Sequence, residues 1–255
     1  MLSTERRHRI LQMVHTQGGV SVEQIGQRFG VSSMTVWRDL RIMEQTGRVH
    51  RVRGGAVHVD KAPAEPEFKA KQFVNSVEKQ RIARYAAERF VEDGMILVLE
   101  GGTTVAGMVP FLGHERLTLL TNGLNVLVEA SHHVPRLTVI SCGGMLREIS
   151  LTLVGPEASN FFADHRADVC FLGGTGLTSE DGLTDPNPLE IEIKRAMSRC
   201  ARKRILLLDS RKLGVRSLAS VLPLQDVDVL ITDAGVPEDS LNWLRDLGVD
   251  VHIVR

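Results

Sequence analysis

The sequence predicts an α/β chain in two parts: a small basic head of helices and a hairpin, then a larger body on a mostly parallel sheet. Three observations predict it. Apolar residues recur at helical spacing through the first 45 residues, whereas short unbroken apolar runs separated by helical segments fill most of the remainder. Charge is also divided unevenly. Lys plus Arg total 31 and Asp plus Glu total 31, so the net charge is zero. Residues 1–58 nevertheless hold nine basic residues, all Arg, against four acidic ones, a balance of +5, and the remainder carries −5. A basic head on an acidic body points to two domains with different partners. At 255 residues the chain suits one large domain or two smaller ones, and 43% apolar residues exclude wholesale disorder.

The elements follow in order. Ile10, Leu11 and Val14 give a first helix, which Gly18-Gly19 ends. Ser21-Val22-Glu23-Gln24 is a capping box, opening a second helix with Val22, Ile25 and Phe29 on its inner face. Gly30 permits a left-handed turn, and Ser32 caps a third helix whose inner stripe is Val36, Leu40 and Met43. Two helices joined by so short a turn have the spacing of a helix-turn-helix. Residues 48–57 alternate basic and apolar around Gly54-Gly55 and predict a hairpin, or wing. The predicted domains are therefore 1–58 and 75–255, with a Pro-containing linker at 59–74. In the body a helix is expected over about 76–91. Strands are expected at Met95–Leu99, Leu117–Thr121, Leu137–Cys142, Asp168–Leu172, Arg204–Asp209, Asp228–Thr232 and Val249–Val254.

The outer face of the third helix offers Ser33, Met34, Trp37, Arg38 and Arg41, with Ser32 and Thr35 near its start. Arginine can grip guanine O6 and N7, hydroxyls can bond phosphate or base edges, and wing arginines such as Arg48, Arg51 and Arg53 can neutralise phosphates. On pattern alone the alternative is a small interaction module with a solvated Arg face. The residues go further. Glu5-Arg6, Gly19-Val20-Ser21-Val22, Phe29-Gly30-Val31-Ser32, Thr35-Val36-Trp37-Arg38-Asp39-Leu40, Gly47 and Arg53-Gly54-Gly55-Ala56 fall in a known arrangement. The head resembles the winged helix-turn-helix of DeoR-family transcriptional regulators. That resemblance implies double-stranded operator DNA as partner, read by Ser32, Ser33, Thr35, Trp37, Arg38, Arg41, Arg51 and Arg53. Trp37 stands where the family usually has Arg, and Arg53 where it has His. Trp37 either touches a thymine methyl or sugar, or packs beneath the wing.

In the body, loops rich in glycine, hydroxyls and charge follow the strands, where open α/β sheets place ligands. They are Glu100-Gly101-Gly102-Thr103-Thr104, Thr121-Asn122-Gly123, Gly143-Gly144-Met145-Leu146-Arg147 and Asp209-Ser210-Arg211-Lys212. Glycine amides, Arg and Lys favour a phosphate, and Asn, Asp and Glu suit sugar hydroxyls. Singly, each is an ordinary strand-to-helix turn. Jointly and in order, over residues 75–234, they resemble the C-terminal domain of the same family, itself similar to ribose-phosphate isomerase and glucosamine-phosphate deaminase folds. The resemblance implies a phosphorylated sugar effector. Gly102, Thr103 and Thr104 would hold phosphate, with Arg147 and Lys212 as charged partners. Glu100, Thr121, Asn122, Gly143, Gly144, Lys194 and Asp209 complete the expected site. Glu100 replaces the family's usual Asp. Glu190 and Lys194 are spaced i, i+4, so a surface salt bridge explains them equally well.

Other chemistry is thin. Gly174-Thr175-Gly176 lacks the third glycine of a dinucleotide fingerprint, and no HExxH, Walker loop or nucleophile elbow is present. His132 and His133 diverge by about 100° on a helix, and Asp181 and Asp185 read as solvated turn carboxylates. Cys142, Cys170 and Cys200 read as buried thiols. No cofactor or metal is expected. With no signal peptide or apolar span, the expectation is a soluble cytoplasmic protein. The family resemblance further implies a homo-oligomer, a dimer or tetramer, that acts as a repressor. The alternatives are a sugar-phosphate isomerase or deaminase with an accessory DNA-binding domain, and a DNA-binding protein whose body only assembles. The isomerase Asp-Gly-x-Asp and Lys-Gly-Gly-Gly segments are absent from the sequence.

Overall fold

The computed structural model describes residues 3–17, 19–45, 49–52, 54–58, 67–114, 116–134 and 136–255. The chain divides into two compact units, Met1–Glu65 and Pro66–Arg255.

The first unit runs α1 (Ser3–Gln17), β1 (Gly19–Ser21), α2 (Val22–Phe29), α3 (Ser33–Gln45), β2 (Val49–Val52) and β3 (Gly55–His58). The capping box forms as the sequence predicts: Ser21 Oγ accepts the Gln24 N–H while the Gln24 side chain accepts the Ser21 N–H. Gly30 ends α2 at φ 62°, a left-handed conformation that costs glycine little. At the start of α3, Ser32 Oγ accepts the Thr35 N–H at 3.4 Å. Ile10, Val14, Ile25, Val36, Leu40, Met43, Val49 and Ala56 form the core of this unit. The wing hairpin is present as β2 and β3. A strand that the sequence did not predict, β1, pairs with β3 to make a three-stranded antiparallel sheet. The close approach needs glycine: a Cβ at Gly55 would collide with the Val20 carbonyl.

The second unit begins with α4 (Phe68–Phe73), α5 (Ser76–Phe90), β4 (Ile96–Leu99), α6 (Thr103–Ala106), β5 (Leu117–Thr121), α7 (Leu124–Ser131) and β6 (Leu137–Ser141). It continues through β7 (Met145–Arg147), β8 (Thr152–Val154), α8 (Pro156–Asp164), β9 (Ala167–Leu172), β10 (Gly176–Thr178), β11 (Gly182–Asp185) and α9 (Pro188–Cys200). It closes with β12 (Ala201–Leu207), β13 (Ala219–Leu222), β14 (Val229–Asp233), α10 (Glu238–Asp246) and β15 (Asp250–Val254). Helix α4 stands in the stretch read from sequence as linker. Phe68 is buried there, and its N–H donates to the Ile149 carbonyl at 2.7 Å.

All seven apolar runs enter one sheet, in the order β15-β14-β12-β9-β4-β5-β6, and every pairing in it is parallel. Successive side chains point to opposite faces, so the sheet builds two cores. Val98, Leu120, Cys170, Leu172, Leu206 and Leu230 pack with Phe162 of α8, Met197 of α9 and Leu244 of α10. Leu97, Leu99, Leu119, Phe171, Ile205 and Ile231 pack with Ile82 and Ala86 of α5, Val105 of α6 and Val126 of α7. The chain moves outward from β4 through β5 to β6, then returns to place β9 on the other side of β4. The order reverses between β4 and β9, and that reversal opens a crevice at the carboxyl ends of the two strands. Two small antiparallel sheets, β7-β8 and β10-β11-β13, lie outside the main sheet.

Candidate functional site

In the head, α3 presents one face outward. Ser32, Ser33, Met34, Arg38 and Arg41 are exposed, and Thr35 is half-buried. Trp37 is half-buried and packs against the head's core. Arg51 lies in β2, and Arg53 falls outside the described residues. The inner face is fixed by a pair that sequence reading missed. Arg6 of α1 donates Nε–H to Asp39 Oδ2 at 2.6 Å, and both side chains are buried. Asp39 thereby locks α3 to α1 while its neighbour Arg38 points outward. Glu5-Arg6 and Asp39 were visible in the sequence, but nothing in their spacing pairs them.

In the body, the strand-end loops meet at the reversal between β4 and β9. Glu100 follows β4 and is buried. Its Oε2 accepts the Gly173 N–H at 3.1 Å, across to the end of β9. Lys194 of α9 projects into the same place. Its Nζ donates to Asp185 Oδ2 at 2.6 Å and to the Gly173 carbonyl at 3.2 Å, and lies 3.3 Å from Glu100. Burial alone would push the Lys194 ammonium down. Asp185, Glu100 and Glu190 outweigh burial and hold it protonated well above the ordinary lysine value. Lys212 reaches the adjacent residue, donating to the Gly174 carbonyl at 2.6 Å. Burial lowers its pKa, and the charge of Lys194 lowers it further against the pull of Asp209.

The second and third loops close one side. The Gly101 N–H donates to Asn122 Oδ1 at 3.0 Å, and Thr121 Oγ1 donates to the Leu99 carbonyl at 2.6 Å. Gly101 and Gly123 pack backbone to backbone; a Cβ on Gly101 would lie 2.8 Å from Gly123 Cα and 2.5 Å from Thr152 Cγ2. Thr104 is buried and Thr103 half-buried at the opening of α6. Opposite, the turn at Ser210–Lys212 is set by Asp233, a residue not singled out from sequence. Asp233 accepts the N–H of Ser210 at 2.7 Å, its hydroxyl at 2.8 Å and the N–H of Gly235 at 2.9 Å. Burial would raise the Asp233 pKa, but these donors outweigh it and hold the carboxyl below its ordinary value. Asp209 accepts from Asn75 Nδ2 at 3.0 Å and from Arg211 Nε at 3.2 Å.

Two sequence readings are corrected here. Glu190 and Lys194 do not form a surface salt bridge. Both are buried and each has its own partners: Glu190 Oε1 accepts Ser150 Oγ at 2.6 Å and Thr152 Oγ1 at 2.5 Å, with Arg147 at 3.5 Å. Helical spacing placed them on one face without revealing that this face turns inward. Asp185 is likewise no solvated turn carboxylate, being buried between Lys194 and the Thr175 hydroxyl. Asp181 does remain partly exposed, paired with Arg216 at 2.8 Å. Gly143 and Gly144 take φ of 71° and 100° and shape the entry to the β7-β8 hairpin. A Cβ at Gly144 would lie 2.7 Å from the Val154 carbonyl. Arg147 itself is tied to Glu190 and Ser150. The three cysteines are free and buried, and the described residues hold no group of acids, histidines and cysteines fit for a metal ion.

Two family models match in tandem: a DeoR-like helix-turn-helix domain over residues 6–62 and a DeoR C terminal sensor domain over residues 74–234. The chain belongs to the DeoR family. Relatives in this family align along nearly the full length. The HTH-type transcriptional regulator GolR of Listeria innocua is 32% identical over 100% of both chains. The HTH-type transcriptional regulator GlpR of Haloferax volcanii is 35% identical over 98% of both. The glycerol-3-phosphate regulon repressor of Escherichia coli is 29% identical over 99% of this chain and 100% of its own. Among solved structures, ribose 5-phosphate isomerase from Plasmodium falciparum aligns over 55% of this chain and 54% of its own, at 14% identity and a TM-score of 0.39. As a DeoR-family member the chain is a DNA-binding transcriptional regulator, not an enzyme. Among its described residues no helix is long and apolar enough to cross a membrane.

Proposed function

We propose that this regulator is a cytoplasmic repressor, oligomeric on its operator, that releases DNA when a phosphorylated sugar or polyol binds the strand-end loops of the body. One observation carries the reading: buried Lys194 and half-buried Lys212 donate to the adjacent carbonyls of Gly173 and Gly174 at the sheet's reversal point, and among the described residues Lys194 has carboxylates within salt-bridge distance while Lys212 has none. An excess half-buried cation beside glycine-rich turns suits a phosphate, while Asn122, Asp209 and Glu100 suit hydroxyls. The relative named for glycerol 3-phosphate supports the same chemical class. In this reading Gly102, Thr103, Thr104 and Lys212 face the phosphate. Arg38 and Arg41, with Ser32, Ser33, Thr35, Trp37, Arg51 and Arg53, contact the operator.

Operator titrations of the full chain, with and without a panel of phosphorylated sugars and their unphosphorylated counterparts, test this. A sugar phosphate should weaken operator binding about 5–150-fold, a coupling of about 1–3 kcal/mol, and DNA should weaken its binding by the same factor. The unphosphorylated sugar should do far less. Arg38→Ala should cost about 1–3 kcal/mol of operator affinity. Identical titration curves across the panel would reject the effector, and an unchanged Arg38→Ala affinity would reject Arg38 as the reader.

A further inference from the structure

Beyond its two cores, the body carries a buried lysine that the proposed effector site does not use. Lys79 of α5 is only 7% exposed, and its Nζ donates to the main-chain carbonyl of Lys71 at 2.5 Å. Lys71 lies near the end of α4, the first helix of the body. The charged groups acting on Lys79 are Lys212, Asp209, Arg211 and Lys71: three cations and one carboxylate. That carboxylate is already shared by Asn75 and Arg211. Burial and Lys212 push the Lys79 ammonium down to about 8. A buried ammonium held by a neutral carbonyl, among other cations, is poorly compensated.

Helix α4 is held to the body at three described points. Its first residue, Phe68, donates its N–H to Ile149, in the turn between β7 and β8, the hairpin that carries Arg147. The Lys71 carbonyl accepts from Lys79. Just past α4, Asn75 takes φ 51° and donates to Asp209. Both α4 and α5 pack against α6, which the Gly102-Thr103-Thr104 turn opens. The segment through which the head's connection enters the body is therefore pinned in part by Asp209, on the 209–212 turn that the effector reading assigns to phosphate, and by Ile149, on the hairpin that carries Arg147.

We propose that Lys79 is both a phosphate ligand and the clamp on α4: when an anion occupies the turns at 102–104 and 209–212, the ammonium leaves the Lys71 carbonyl for the anion and frees α4. The inference rests on the phosphate reading above and adds to it the residue that transmits occupancy. A charge-assisted hydrogen bond to a phosphate oxygen is stronger than one to a neutral carbonyl, so the exchange is downhill once the anion is present. The linker end of the body then loses one of these hydrogen bonds, which gives a bound ligand a differential effect on the two states.

Hydrogen–deuterium exchange on the full-length protein reads the site and the clamp separately. The probes are inorganic phosphate, glycerol 3-phosphate and glucose 6-phosphate at millimolar concentration. At least one should slow the amides at 102–106 and 210–213 while speeding those at 68–74 about tenfold, the effect of one lost hydrogen bond. In Lys79→Met, the 68–74 amides should exchange without any probe as fast as the wild type does with one, and no probe should change them further. Slowed loops with unchanged or slower 68–74 amides in the wild type would overturn the clamp and leave the phosphate site standing. No slowing at either loop with any probe would overturn the site and the clamp together. The wild-type comparison decides by itself if Lys79→Met does not fold.

Discussion

Three lysines in one region, Lys194 and Lys79 buried and Lys212 half-buried, shift in two directions on the lysine scale, and their neighbours explain each. Lys194 is encircled by Asp185, Glu100 and Glu190 and is held charged. Lys212 is pushed down by burial and by the charge of Lys194, against Asp209, Glu100 and Asp185. Lys79 is pushed to about 8 by burial and by Lys212. For Lys79 the sign is fixed by the direction. Its folded value lies below its unfolded one, so between about 8 and 10.5 the unfolded chain binds more protons and stability rises with pH. An anion reverses this by favouring the charged form. Affinity for a phosphate should hold below pH 8 and fall above it, by up to about tenfold per pH unit as Lys79 loses its proton. Calorimetric titrations of glycerol 3-phosphate and glucose 6-phosphate between neutral pH and pH 10 check this. Lys79→Met should remove the decline attributable to this lysine.

Helix α3 shows how one element serves packing and recognition at once. Val36, Leu40 and Met43 face the core, Arg38 and Arg41 face out, and Asp39 ties the helix to Arg6. Asp39→Ala leaves a buried guanidinium without its close partner and should destabilise the head by about 3–5 kcal/mol. Scanning calorimetry should show the head's transition moving down while the body's stays in place. A body transition that moved equally would contradict the separate cores. Elements like α3 were legible because period 3.6 and the capping chemistry of Ser21-Gln24 and Ser32 agree. The seven sheet strands were legible because residues buried on both faces leave unbroken apolar runs. Helix α4 was not, because six residues after a Pro-rich stretch carry too little periodicity. Strands β1, β7, β8, β10, β11 and β13 are three or four residues each, too short for alternation to speak. Within the site, the glycine and threonine turns were visible as composition. The partners of Glu190, Lys194 and Asp185 were not, because which carboxylate meets which ammonium is decided by the crossing of α9 over the strand ends.

At the scale of the whole molecule, a net charge of zero conceals a head at +5 and a remainder at −5, which suits one partner that is a polyanion and another that is small and buried. The order of strands has a consequence for synthesis. Strand β4 emerges first among the seven and finds β5 on one side soon after, but its other neighbour, β9, begins only at Ala167. From Leu99 to Ala167, at about 5–20 residues per second, the wait is about 3–14 seconds. Through that interval the inner edge of Ile-Leu-Val-Leu, an interior strand of the finished sheet, has unpaired backbone groups and an apolar face. Ribosome-arrested chains ending between Asn122 and Asp164 should therefore bind chaperones that recognise apolar extended segments. Those extending past Asp233, with β9, β12 and β14 available, should be released. The exposure to misassociation on the ribosome therefore grows with the rate at which the chain is made, since every chain in synthesis carries the same unpaired edge.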